Sequence, residues 1–236
     1  QIHRGAFEEA VSRFNTLRRN AKINEDHLRE SRYLQKIGFI QQERADFDRA
    51  LDYYRKALCA AEKSQNMKAI GQTCNLIGDI YRNKGMLSHA SEHYENAIEY
   101  ALKGDDKKVI GSAYIGLGNI QSDLDNFRDA LANYEKALKH LKEVNDVWGI
   151  GRVYNNMGDT YCQMKEWEKA IEQFDKCREY AEMGGWVNLK AWSKFNCSKP
   201  LIQTGKLDLA KQNLDESLEI VMRIGDRVGL IGIHEN

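Results

Sequence analysis

Proline is almost absent from this chain: one residue in 236. A sequence so poor in helix breakers can run as one helix after another, and its turns must come from other residues. Long apolar runs are also missing, so nothing approaches the roughly 20 consecutive apolar residues of a membrane span. No signal-peptide pattern is present. Net charge is absent as well, with 35 basic residues cancelling 35 acidic ones. Bulk electrostatics therefore gives no reason to expect nucleic acid or an anionic membrane as partner. The five cysteines are an odd number without a CxxC pair. Cys59, Cys74 and Cys177 read as small core residues of a reducing compartment, so a cytoplasmic location is expected.

What is present is a repeat. Gly38, Gly78, Gly118 and Gly158 stand forty apart, as do Ala10, Ala50, Ala90, Ala130, Ala170 and Ala210. A third row runs Phe14, Tyr54, Tyr94, Tyr134, Phe174 and Leu214. A fourth runs Phe7, Phe47, Leu87, Phe127, Trp167 and Leu207. A fixed period without insertions marks a stacked repeat protein, whose units cannot bury their apolar faces alone. With 42% apolar and 30% charged residues the composition suits an elongated body with much surface.

The unit 66–105 shows the internal logic. Asn66 heads a column continued by Asp26, Asp106, Asp146 and Asp226, side chains that accept hydrogen bonds from the free N–H groups of a helix start. Ile70, Cys74, Ile77, Gly78 and Tyr81 then recur at helical spacing. Asn83–Gly85 breaks the helix. A second helix carries Leu87, Ala90, Tyr94, Ala97, Ile98 and Ala101 on one face, and Lys103–Asp105 leads into the next unit. Loops of about three to five residues make the two helices antiparallel. The small residues Gly78 and Ala90 allow close approach, and Tyr94 fills the space beside them.

This pattern resembles the tetratricopeptide repeat signature, which it matches at positions 74, 77, 78, 81, 90, 94 and 97. It returns at Leu34, Ile37, Gly38, Ala50, Tyr54 and Ala57. It recurs again at Tyr114, Leu117, Gly118, Ala130, Tyr134 and Ala137, and at Tyr154, Met157, Gly158, Tyr161, Ala170 and Phe174. The resemblance implies an all-α fold, a right-handed α-solenoid of antiparallel helix pairs forming one superhelical domain over 1–236. Its units are a partial repeat 1–25, repeats 26–65, 66–105, 106–145 and 146–185, a degraded repeat 186–225 and a partial repeat 226–236. Because the chain starts and stops inside a unit, it reads as a segment of a longer protein or one with covered ends. The family's common period is 34 with a closing proline; here it is 40 without one. Forty-residue units with steps such as Leu117-Gly118-Asn119 resemble the Pins/LGN-type adaptors, and similar long repeats occur in bacterial response regulators and kinesin light chains.

The resemblance further implies a concave groove lined by the first helix of each unit, and a protein or peptide partner lying in it. Carried over by position, the groove residues are Gln72, Asn75, Asp79 and Arg82; Ser112, Ile115, Asn119 and Ser122; Arg152, Asn155, Asp159 and Cys162. Asparagine amides can both donate to and accept from a peptide backbone, and Asp79 and Asp159 favour a ligand bearing Lys or Arg. The same positions also read as a plain solvated helix face. A clamp for a terminal carboxylate is not expected, because Asp79 would repel it and Gly116 stands where an asparagine is wanted.

The fifth unit departs from its siblings. Ser198 replaces the glycine, Lys194 enters an apolar column, and Pro200 predicts a kink or early helix end near Lys199. Its groove positions are Trp192, Phe195, Lys199 and Ile202. With Trp148 and Trp186 they form an aromatic patch that either anchors a partner or is covered by further helices.

No chemistry-bearing constellation emerges. His89 and His93 have two-His spacing, but lack the glutamate of a zinc-protease motif and a third ligand, and read as convex-face residues. Asp105–Asp106 is a capping turn, and Gly184–Gly185 is not a phosphate loop. No catalytic residue, metal site or cofactor is expected; the chain reads as a protein-interaction scaffold. Two other readings stand beside it: a peptide-sensing module of a larger regulator, and an architectural segment that self-associates through uncapped repeat ends.

Overall fold

The computed structural model describes residues 2–224, with side chains from 7 to 223, so Asp226 and the partial repeat 226–236 lie outside the described residues. The described chain is all helix: α1 (Ile2–Ile23), α2 (His27–Glu43), α3 (Phe47–Lys63), α4 (Met67–Asn83), α5 (Leu87–Gly104), α6 (Lys107–Asp123), α7 (Phe127–Glu143), α8 (Val147–Gln163), α9 (Trp167–Gly184), α10 (Val187–Gln203) and α11 (Leu207–Ile224). It gathers into two compact units, divided between Ile120 and Gln121: unit 1 before the division and unit 2 after it.

The predicted cap column is real. The carboxylate or amide oxygens of Asp26, Asn66, Asp106 and Asp146 accept from the N–H groups of Arg29, Ala69, Val109 and Gly149 at 3.0, 2.9, 3.2 and 3.2 Å. Each satisfies one of the donors that a helix start leaves free. Asp46 does the same for α3 through the Arg49 N–H at 3.1 Å.

Helix ends follow a finer rule than the forty-residue period. Every twenty residues one residue takes the left-handed conformation: Glu25, Ala45, Gln65, Gly85, Asp105, Asp125, Asn145, Lys165, Gly185 and Gly205. The N–H of the following residue returns to a carbonyl five positions back, as from Asp26 to Ala21, Met86 to Tyr81 and Lys206 to Leu201. That bond ends the helix and reverses the chain in two or three residues without proline.

In unit 1 the paired helices touch through the small-residue column. A Cβ on Gly38 would lie 2.5 Å from the Tyr54 ring, and one on Gly78 2.7 Å from Tyr94. A Cβ on Gly116, in the following first helix, would meet the same Tyr94 ring at 2.3 Å. Tyr94 is thus clasped by glycine backbone from both sides. Ala50, Tyr54, Ala90 and Tyr94 are fully buried with Ile77 and Ile80 at the centre of the core. Unit 2 repeats the arrangement with Gly158 against Phe174, a Cβ there falling 2.6 Å from the ring. Polar bonds also tie successive first helices, from Gln35 Nε2 to Thr73 Oγ1 at 2.7 Å and between the Ser122 and Thr160 hydroxyls at 3.2 Å.

The degraded unit 186–225 keeps the helix pair. The early stop near Lys199 does not occur: α10 runs through buried Pro200 to Gln203. Proline there gives up only its own N–H bond. The last turn is held by the Thr204 N–H on the Pro200 carbonyl at 3.0 Å and by buried Cys197 and Leu201. Lys194 is buried but paired with Glu216 at 2.7 Å, which offsets the loss of hydration. Ser198 fits where glycine is otherwise required, since its row partner is Leu214 instead of an aromatic ring. One core expectation fails: Cys59 is exposed, while Cys74 and Cys177 are buried. Its register siblings Glu99, Lys139 and Glu179 show that this column faces water.

Seven of the ten left-handed positions are not glycine, and each costs about 1 kcal/mol of backbone strain. Ala45→Gly is therefore expected to stabilise the fold by about 0.5–1 kcal/mol in urea unfolding. Gly85→Ala, whose Cβ would meet no atom within 4 Å, should destabilise by about 1 kcal/mol from backbone strain alone.

Candidate functional site

The first helices carry the polar columns singled out in the sequence, and the structure divides them into open and committed positions. In unit 1 the Gln72 amide donates to Asp106 at 3.0 Å and is exposed. Asn75, Ser112 and Asn119 are partly buried, and Asn75 Oδ1 is enclosed without a hydrogen-bond donor. Asp79 is already engaged, accepting the Tyr94 hydroxyl at 2.7 Å, and Arg82 also interacts with that hydroxyl. Burial and the Asp79 carboxylate together push the Tyr94 phenol far up. The Asp79–Arg82 pair thus orders the core ring. Ile115 is buried, so it is not a groove position: β-branched and apolar, it turns into the core.

In unit 2 two further positions move. Ser122 is buried between α6 and α8, bonded to Thr160 and to Gln163 Oε1 at 3.4 Å, and Cys162 is buried as well. A small side chain at this last groove position sinks between neighbouring first helices, where the longer Arg82 does not. Arg152 and Trp192 are exposed, Trp192 by 44%. Asn155, Asp159 and Phe195 are partly buried. Trp148 and Trp186 meet at 5.0 Å between ring centroids, with Trp186 half exposed.

Asp159, Cys162, Phe195, Lys199 and Ile202 come together with residues that the sequence did not single out as groove positions. A cleft of about 600 Å³ opens between α8, α10 and α11, lined among others by Asp159, Phe195, Asn196, Lys199, Ile202 and Leu214. Leu218 and Asp215 complete its α11 wall. This is the size of a small-ligand or peptide side-chain site. A polar relay leads to its acid: Asn196 Nδ2 donates to Asn155 Oδ1, and Asn155 Nδ2 donates to Asp159 Oδ2, both at 3.2 Å. Burial pushes the Asp159 carboxyl up to about 7, with the Lys199 amine pulling it partly back. Leu214 continues the aromatic row that is fully buried at Tyr54, Tyr94 and Phe174; the first helix that covers this row in earlier repeats, as Gly116 does Tyr94, falls in register within 226–236, outside the described residues.

The two histidines are not bare convex-face residues. Both stack on Tyr81 at 5.3 Å, and the Tyr81 hydroxyl accepts from Arg55 at 2.7 Å. Burial first, then Arg55 and His89, hold the His93 imidazole below its ordinary value against an opposing push from Glu92. Among the described residues no group of three His, Cys, Asp or Glu side chains is placed to hold a metal ion. No described helix is long and apolar enough to cross a membrane.

Comparison with known proteins agrees with this architecture. Residues 70–143 match one family model of the tetratricopeptide repeat, and residues 151–182 match another. No curated protein matches the sequence. Among solved structures, the chain is similar to BtubC from P. vanneervenii at 19% identity, with 94% of this chain and 93% of that one covered and a TM-score of 0.76. It is similar to a Rap protein complexed with Competence and Sporulation Factor at 16% identity, covering 87% of this chain and 58% of that one, with a TM-score of 0.78. A third is the Rap conjugation gene regulator of plasmid pLS20 in complex with the Phr* peptide, at 17% identity, 91% and 59% coverage and a TM-score of 0.75. The chain thus spans under two thirds of either Rap protein, and at these identities the likeness establishes the fold. Residues 70–143 and 151–182 thus match tetratricopeptide-repeat models, and the described chain is all-α, built of antiparallel helix pairs.

A carboxyl raised above its unfolded value of 3.8 favours the folded state at low pH, and that advantage is lost as pH rises through about 7. Asp159→Asn is therefore expected to raise the melting temperature at pH above 7 by a few degrees. The gain should vanish as pH falls toward 4. A pH-independent effect in thermal scans would refute the assignment.

Proposed function

We propose that this chain is a protein-interaction scaffold that binds a peptide segment of a partner on the face of its first helices. The observation that carries the reading is the unit 2 cleft. It combines an apolar wall with a relay of amides ending on a carboxylate that is costly to keep buried. Buried ionisable groups with shifted pKa values inside concave sites are functional candidates. Groups that merely solvate a helix face carry no such penalty. Two of the similar structures are complexes with Competence and Sporulation Factor and with the Phr* peptide, which supports a peptide as the ligand class.

In this reading Gln72, Asn75, Ser112 and Asn119 of unit 1, and Arg152, Asn155, Asp159, Trp192 and Phe195 of unit 2, face the partner, in one repeat domain of the cytoplasm. Asn155 offers both donor and acceptor groups near an extended backbone. Asp79, Arg82 and Ser122 serve the scaffold itself. The role needs no cofactor, nucleic acid, membrane or catalytic step. The forty-residue period and the Leu117-Gly118-Asn119 step make Pins/LGN-type adaptors the finer model for such a scaffold. A peptide-sensing module is the second reading, favoured by the likeness to a gene regulator bound to a peptide.

Selection of peptides displayed on phage against the whole chain tests the scaffold reading. Peptides enriched by the wild type should be lost from the Asn155→Ala/Phe195→Ala variant, with far-UV circular dichroism unchanged. Equal enrichment by both proteins would remove the first-helix face as the binding surface.

A further inference from the structure

The cleft is specific about charge, and comparison of the repeats inside the chain shows why. Asp79 and Asp159 occupy the same register position, forty residues apart. In its own repeat Asp79 accepts the Tyr94 hydroxyl at 2.7 Å. The residue in register with Tyr94 beside Asp159 is Phe174, which has no hydroxyl. Asp159 has kept the acid and lost the donor. It accepts one hydrogen bond, from the Asn155 amide at 3.2 Å, where an ionised carboxylate has room for about four. Among the described residues no ion pair within 4.0 Å reaches it. Lys199, in register on α10, acts on it only through its field.

The surroundings are amphiphilic. Phe195 and Ile202 of α10 supply an apolar wall, with Ile202 47% exposed. Among the described residues the charged lining groups are two carboxylates, Asp159 on α8 and Asp215 on α11, against one amine, Lys199 on α10. The remaining titratable neighbour on α8 is the Cys162 thiol, which burial and Asp159 push up to about 12, so it stays neutral.

We propose that this cleft takes a peptide segment in which a Lys or Arg side chain adjoins a bulky apolar one. The cation sits on Asp159, and the apolar group lies against Phe195 and Ile202. This rests on the peptide-binding reading above and adds the chemistry of the ligand. The arriving cation replaces the donor that Tyr94 supplies to Asp79, and it compensates the buried carboxylate where water no longer can. Binding therefore favours ionised Asp159 and weakens as pH falls below about 7.

The test uses three capped tripeptides, acetyl-Leu-X-Phe-amide with X as Lys, Gln or Glu, titrated into the ¹⁵N-labelled whole chain and followed by amide shifts. Above pH 7 the Lys peptide is expected to bind about tenfold tighter than the Glu peptide, with Gln between them. That preference should collapse near pH 5, in Asp159→Asn, and in Phe174→Tyr, which restores an internal hydroxyl. Lys199→Gln should strengthen the Lys peptide about two- to threefold. Because Lys199→Gln alters only an exposed side chain, it keeps the test valid if a core variant fails to fold. Equal affinities for all three peptides, with shifts around Asp159 and Phe195, would overturn the charge inference and leave the peptide reading standing. No shifts at the cleft with any peptide would overturn both. Dimerisation abolished by Asp159→Asn would assign the cleft to a second copy and likewise overturn the proposal.

Discussion

The contact on which each unit depends is an aromatic ring lying on bare glycine backbone. Tyr94 between Gly78 and Gly116, Tyr54 on Gly38 and Phe174 on Gly158 bring paired helices closer than any side chain would allow. Close packing of this kind tolerates little change in volume, because interiors are packed like organic crystals. It also fixes where the ring edge points. The Tyr94 hydroxyl reaches Asp79 on the first helix, so the core and the polar face are one piece of structure. Change the ring and the chemistry of the face changes with it, as the Phe174–Asp159 position shows.

Much of the architecture could be read from the chain because repetition averages out accidents. Five caps in register, a row of alanines and a row of rings leave one consistent arrangement, and Asp26, Asn66, Asp106 and Asp146 do cap their helices. The twenty-residue rhythm of left-handed turns was hidden, since Glu25, Ala45, Gln65 and Lys165 share no chemistry. Those conformations are imposed by the backbone bonds that close each helix, and the helices on either side hold them. Pro200 misled for a related reason. Packing of α10 outweighs one missing hydrogen bond near a helix end.

The candidate site was legible by half. Asn155, Asp159, Trp192 and Phe195 are where register puts them, but Ser122, Cys162 and Ile115 are buried and Asp79 is bound by a core tyrosine. Position along a helix predicts direction; it does not predict whether a neighbour has already claimed the side chain. The α11 wall of the cleft was out of reach for another reason. Leu214 and Leu218 follow the apolar rows, and only the packing of the following helix in earlier repeats shows that such positions are normally covered.

The claim at the centre of this account is that a partner peptide lies on the first-helix face of unit 2. The direct measurement is a set of intermolecular nuclear Overhauser effects between a display-selected peptide and the methyl-labelled whole chain. The account predicts contacts to the methyl groups of Ile202, on the first helix α10. Contacts confined to the second helices, for instance to Leu102 or Met183, would contradict it.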